Sequence, residues 1–304
     1  MSRIDQALRR FGKAPRGIDT AEHWRAPFGS TRAVVGIDDY TTESPAKPAP
    51  QSGRGSVPVF PDLLTAAPTL ASTGESVEYR LLSDRAADPR WMEPYRRLAA
   101  TLHHLKAERS IKVLMVTSAV PREGKTLTSA NLALALSGIS RRVLLIDGDL
   151  RRPCVHDAFG ISNSTGLAEG LASEQTTLPV IDVSPNLSVL PAGRSASNAA
   201  AGIVSERMSA VLKEASERFD WVILDSSPAN IVSEPYLMSG LVDGVILVIG
   251  AGETNYQLIE RTIAEIGRER IIGAVLNRVE ADGSSDNYQH YYYYDRPEPG
   301  VTQP

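Results

Sequence analysis

Between residues 111 and 277 the chain alternates short apolar runs with stretches of helical periodicity. The runs predict strands at 111–117, 142–147, 187–191, 220–225, 243–249 and 271–277. The stretches between them predict helices at 125–138, 202–217, 231–240 and 255–268. Runs such as Val143-Leu-Leu-Ile and Val245-Ile-Leu-Val-Ile carry no polar alternation. Strands of that kind are buried on both faces, as in parallel sheets. The pattern therefore predicts an α/β fold, a mostly parallel sheet with helices on both faces. A further helix is expected over Trp91–Leu105, where Leu98, Leu102 and Leu105 share a face.

The flanks read differently. Ile4, Ala7, Leu8 and Phe11 suggest a short docking helix in residues 1–20. Residues 21–77 read as a disordered linker, with six prolines from Pro45 to Pro68. The folded domain is expected over 78–282, followed by a flexible tail over 283–304. Of the 304 residues, 42% are apolar, enough for a sizeable core, and the net charge of −4 offers no global basic field for nucleic acid. Cys154 is the only cysteine, which excludes an internal disulfide and fits a reducing compartment. No apolar run approaches membrane-spanning length, and the N-terminus lacks a signal core, so a cytoplasmic location is expected.

Three motifs carry chemistry. Ala119-Val-Pro-Arg-Glu-Gly124-Lys125-Thr126 joins a strand to a helix. It has the form of a phosphate-binding loop, with alanine in place of the first glycine. Backbone N–H groups and a helix N-terminus suit phosphate oxygens. Lys125 adds a cation for the terminal phosphates, and Thr126 a hydroxyl for Mg²⁺. Asp147 and Asp149 follow a second strand and can point the same way. One suits Mg²⁺ and the other a proton from an attacking hydroxyl. Arg151 and Arg152 suit phosphate or a partner's carboxylate. Asp225, ending a third apolar strand, is placed to complete the Mg²⁺ shell.

Five of the ten tyrosines, Tyr288 and Tyr291–Tyr294, crowd the tail. They suit a stacking platform for a base, or a set of phosphate acceptors. Cys154 reads as a small semi-buried residue beside His156. His103 and His104 read as a helix surface.

Taken together, residues Glu93–Tyr294 resemble the bacterial tyrosine kinases of capsule and exopolysaccharide systems. Ala119, Pro121, Glu123, Gly124, Lys125 and Thr126 match the family's first phosphate motif. Leu144–Arg151 match its second, and Val222–Pro228 its third with one change. Asn277 matches its adenine-reading asparagine, and the tyrosine cluster its autophosphorylation tail. The resemblance implies a P-loop NTPase fold and an ATP- and Mg²⁺-dependent tyrosine autokinase that regulates polysaccharide polymerisation or export. It implies catalytic roles for Lys125, Asp147, Asp149 and Asp225. Thr126, Asp147 and Asp225 would hold metal. Leu127, Arg151 and Arg278 join the loop residues and Asn277 as nucleotide contacts. Tyr288, Tyr291, Tyr292, Tyr293 and Tyr294 would be the acceptors.

The implied partners are a membrane-spanning chain-length regulator, further copies of the chain and a cognate tyrosine phosphatase, with recruitment to the inner membrane face. Three positions depart from the family. Arg122 replaces a glycine, Ser227 a proline, and Ala99 the second arginine of an oligomer motif starting at Glu93 and Arg96, with Arg97 nearby. ParA/MinD-type ATPases share the fold, but carry an extra lysine where this chain has Val120. A nucleotide-binding adaptor without kinase activity is a third reading.

Overall fold

The computed structural model describes residues 30–32, 64–67, 89–173, 178–194, 202–203 and 205–279. Its strands are β1 (Ser30–Arg32), β2 (Leu64–Ala67), β3 (Val113–Ser118), β4 (Val143–Asp147), β5 (Leu178–Ser184), β6 (Leu187–Leu190), β7 (Trp221–Asp225), β8 (Gly244–Gly250) and β9 (Ile271–Val279). Its α-helices are α1 (Pro89–Arg109), α2 (Lys125–Ser137), α3 (Val155–Phe159), α4 (Leu167–Ala172), α5 (Glu206–Arg218), α6 (Glu234–Ser239) and α7 (Tyr256–Ile266). The expected N-terminal helix, most of the expected linker and the tyrosine tail lie outside the described residues.

The strands form one sheet in the order β1-β9-β8-β3-β7-β4-β6-β5-β2. From β9 to β6 every neighbouring pair is parallel. These strands are the six expected from the sequence. Alternate residues feed opposite layers. Leu144, Ile146, Val222 and Leu224 pack with Met208, Val211 and Leu212 of α5. Val143, Leu145, Trp221 and Ile223 pack with Leu98, Leu102 and Leu105 of α1 and Leu132 and Leu136 of α2. Leu247, Ile249 and Leu276 pack with Ile259 of α7.

Three strands go beyond the sequence reading. β5 is antiparallel to β6, and its register includes Pro179, which has no N–H to give. β2 lies parallel to β5, and β1 lies antiparallel to β9. Both fall within the segment expected to be linker, and these seven residues of it are strand. A strand of three or four residues on an open edge takes its hydrogen bonds from the sheet and needs no apolar pattern of its own. The short helices α3 and α4 also go beyond the expectation.

Among the described residues no helix is long and apolar enough to cross a membrane. His103 and His104 are exposed on α1, as expected, with His104 3.4 Å from Glu108. Ala99 is buried in the α1 core face, and Arg97 pairs with Glu93 at 3.0 Å.

Candidate functional site

The carboxyl ends of β3, β4 and β7 lie side by side, the edge where open α/β sheets bind ligands. Asp147 and Asp225 are register partners on β4 and β7, and Val116 of β3 sits opposite Asp225 on the other side. The loop Ala119–Gly124 leaves β3 and enters α2. Arg122 and Gly124 both adopt left-handed backbone, with φ of 69° and 89°. At Arg122 that conformation costs about 1–2 kcal/mol, because a Cβ crowds the carbonyl. At Gly124 a Cβ would lie 2.1 Å from Asn277 Nδ2, so any other residue must displace that side chain as well as hold a left-handed backbone. Asn277 Nδ2 donates to the Glu123 carbonyl at 2.8 Å, tying the end of β9 to the loop.

The Glu123 carboxylate faces inward. It accepts from Val120 N at 2.7 Å, from Gly250 N at 2.9 Å and from the Thr254 hydroxyl. Glu123 thus braces the loop against β8, leaving its backbone to face a ligand. On the other flank, Asn230 Nδ2 donates to the Ala119 carbonyl at 3.1 Å.

Lys125 opens α2 and sits 3.0 Å from Asp149 Oδ2. Thr126 Oγ1 donates to Asp225 Oδ2 and Ser129 Oγ to Asp225 Oδ1, each at 2.8 Å. Asp147 accepts backbone N–H groups from Asp149, Cys154 and Val155, and so holds the start of α3. Asp149 Oδ1 accepts from Ser227 Oγ at 2.7 Å and from Arg152 N at 3.1 Å.

Asp147, Asp149 and Asp225 are all buried, with the partly buried ammonium of Lys125 against Asp149. Burial pushes Asp147 up to about 8, with Asp225 adding to the rise. Burial also raises Asp225, against the pull of Lys125 and the Thr126 and Ser129 hydroxyls. Burial alone would lower Lys125, but Asp225, Asp149 and Asp147 outweigh it and hold it above the ordinary lysine value. Such a cluster fits a divalent cation. Among the described residues no three His, Cys, Asp or Glu side chains gather into a cage. Mg²⁺ takes one or two carboxylates and completes its shell from phosphate and water.

The remaining expected contacts are more peripheral. Pro121 is exposed in the loop turn, and Leu127 packs toward the α1 side of the core. Arg151 is half exposed and pairs with the buried Glu234 at 2.6 Å. Arg278, with φ of 59°, pairs with Glu253 at 2.6 Å. Cys154 is half buried, and His156 pairs with Asp157 at 3.2 Å. Ser129, Asn230, Glu234 and Thr254 were not expected at the site. None of the four lies in one of the three motifs, so the sequence carried no signal for them.

Residues 114–296 match the CobQ/CobB/MinD/ParA nucleotide binding domain family. The tyrosine-protein kinase YwqD of Bacillus subtilis is 32% identical over 206 residues, covering 66% of this chain and 85% of that protein. The tyrosine-protein kinase Etk of Escherichia coli is 32% identical over 203 residues, 66% of this chain but 28% of that longer protein. The solved kinase domain of Escherichia coli ETK superposes with a TM-score of 0.60 at 29% identity, covering 64% of this chain and 78% of that one.

Proposed function

Because this chain belongs to the bacterial tyrosine-protein kinases within the CobQ/CobB/MinD/ParA nucleotide-binding family, we propose that it phosphorylates its own C-terminal tyrosines from ATP. The observation that carries this reading is the convergence of Lys125, Thr126, Asp147, Asp149 and Asp225 at one sheet edge beside a loop braced for phosphate. Lys125 and the loop N–H groups hold the phosphates of ATP. Thr126, Asp225 and Asp147 are the groups to hold Mg²⁺, which when bound neutralises charge on the transferring phosphate. The tyrosine oxygen forms a bond to the γ-phosphorus as the bond to the ADP oxygen breaks. The phenolic proton passes to Asp149, the acid whose side chain faces Lys125.

The acceptors are Tyr288, Tyr291, Tyr292, Tyr293 and Tyr294. The segment from Asn277 to Tyr291 spans at most about 46 Å when extended. That length reaches either the chain's own site or a neighbour's. A tyrosine must enter in line with the γ-phosphate, and a tail rooted at the rim must double back to do so in its own chain. Transfer is therefore between copies, within an assembly that dissolves as the tail gains charge. Five phosphotyrosines add on the order of −8 to −10 charges. A membrane-spanning chain-length regulator recruits the kinase to the inner membrane face, and a tyrosine phosphatase resets it. The output is control of capsule or exopolysaccharide assembly.

The test mixes a Lys125→Met chain, tail intact, with an active chain whose tail tyrosines are all phenylalanine. Phosphate on the inactive chain is the expected result. An unlabelled partner at high concentration, with wild-type labelling independent of dilution, would place transfer within one chain.

A further inference from the structure

Resting on the reading of Asp149 as proton acceptor, we infer that Ser227 is a positioning residue that holds Asp149 in its reactive orientation once Lys125 has moved to the phosphates. The two carboxylate oxygens of Asp149 have partners of different kinds. Oδ1 accepts from Ser227 Oγ at 2.7 Å and from Arg152 N at 3.1 Å. Oδ2 faces Lys125 Nζ at 3.0 Å. The first two donors belong to the frame, and the third belongs to a side chain that the phosphates of ATP attract.

Ser227 is mounted firmly. It is buried, and its carbonyl accepts from Thr117 Oγ1 at 3.0 Å. The preceding Ser226 donates through Oγ to the Val116 carbonyl at 3.0 Å. Two residues later, Ala229 N donates to the Ser118 carbonyl at 2.8 Å. The segment carrying the Ser227 hydroxyl is thus laced to β3, the strand that leads into the phosphate loop. Its hydroxyl reaches from β7's exit to an acid on β4's exit, 78 residues away in sequence.

This arrangement has a consequence when ATP arrives. As Lys125 turns toward the phosphates, Asp149 Oδ2 loses its charged partner. The terminal torsion of an aspartate is broad, so an unheld carboxylate samples many orientations. With Ser227 and Arg152 both on Oδ1, that rotation stays fixed and Oδ2 is the oxygen left open. Oδ2 then receives the phenolic proton while the phenolic oxygen bonds to phosphorus and the phosphorus–oxygen bond to ADP breaks. Before ATP binds, Lys125 occupies the same oxygen.

The experiment compares full-length Ser227→Ala and Ser227→Thr with wild type, measuring autophosphorylation rate against ATP concentration at saturating Mg²⁺. Ser227→Ala should lower kcat about tenfold and leave the KM for ATP within about twofold. Ser227→Thr keeps the hydroxyl and should stay within about threefold of wild-type kcat. An unchanged kcat in Ser227→Ala would overturn the inference. So would a loss that falls equally on the KM for ATP, or a threonine variant no better than alanine. Asp149→Asn separates the two levels. Full turnover in that variant removes the reading of Asp149 itself. An inactive Asp149→Asn beside a normal Ser227→Ala removes only the role of Ser227.

Discussion

Glu123 commits its carboxylate to the protein interior, and the loop's shape depends on it. Glutamine is nearly isosteric but turns one acceptor into a donor, leaving Val120 N–H or Gly250 N–H without a partner. Glu123→Gln should destabilise the protein by about 1–3 kcal/mol in denaturant unfolding at neutral pH. Equal stability would show that the brace is dispensable. Burial raises the Glu123 pKa, against the hydrogen bonds from Thr254, Val120 and Gly250. A carboxyl raised in the folded state contributes most below its unfolded value, and that contribution shrinks as pH climbs through the folded one. The stability gap to Glu123→Gln should therefore narrow with rising pH. The acids of the site separate in the same manner. Asp149→Ala should lower turnover more than ATP affinity, because the proposed mechanism gives its carboxylate the phenolic proton. Asp147→Ala and Asp225→Ala should act mainly on the Mg²⁺ dependence of the rate. Equal loss of rate and nucleotide binding in Asp149→Ala would contradict that division. The acids were legible because each follows an apolar strand. Ser129 and Thr254 were not, since their partners lie 96 and 131 residues away, and a lone hydroxyl carries no pattern.

At the scale of elements, the six parallel strands could be read because burial on both faces leaves an unbroken apolar run. β5 could not, because Pro179 interrupts it and Asp182 faces solvent. α3 and α4 have five and six residues, too few to show a helical period. β1 and β2 exist through the edges they join, so their own residues announce nothing. Their position gives a prediction. The site lies on β3, β4, β7 and the end of β9, while β1 and β2 occupy the two outer edges. A chain starting at Ser76 should bind ATP with unchanged affinity, measured by titration calorimetry. It should also be less soluble, because two sheet edges lose their cover. A folded truncation that fails to bind ATP would show that the N-terminal segment belongs to the site.

At the scale of the whole molecule, one sheet edge gathers a phosphate loop, a partly buried lysine and three buried acids. The chain then leaves β9 close to the same edge, since Asn277 touches the loop it follows by 154 residues. The last described strand ends where the chemistry is. Fold and site share one cause, the parallel order of β4, β7 and β3, which brings three strand ends level. The direct measurement is mass spectrometric mapping of phosphotyrosine after incubating full-length wild type and Lys125→Met with ATP and Mg²⁺. Phosphate on Tyr288 and Tyr291–Tyr294 of wild type, and none on an equally folded Lys125→Met, is the predicted result. Undiminished phosphotyrosine in Lys125→Met, or a wild-type tail that stays unmodified, would contradict it.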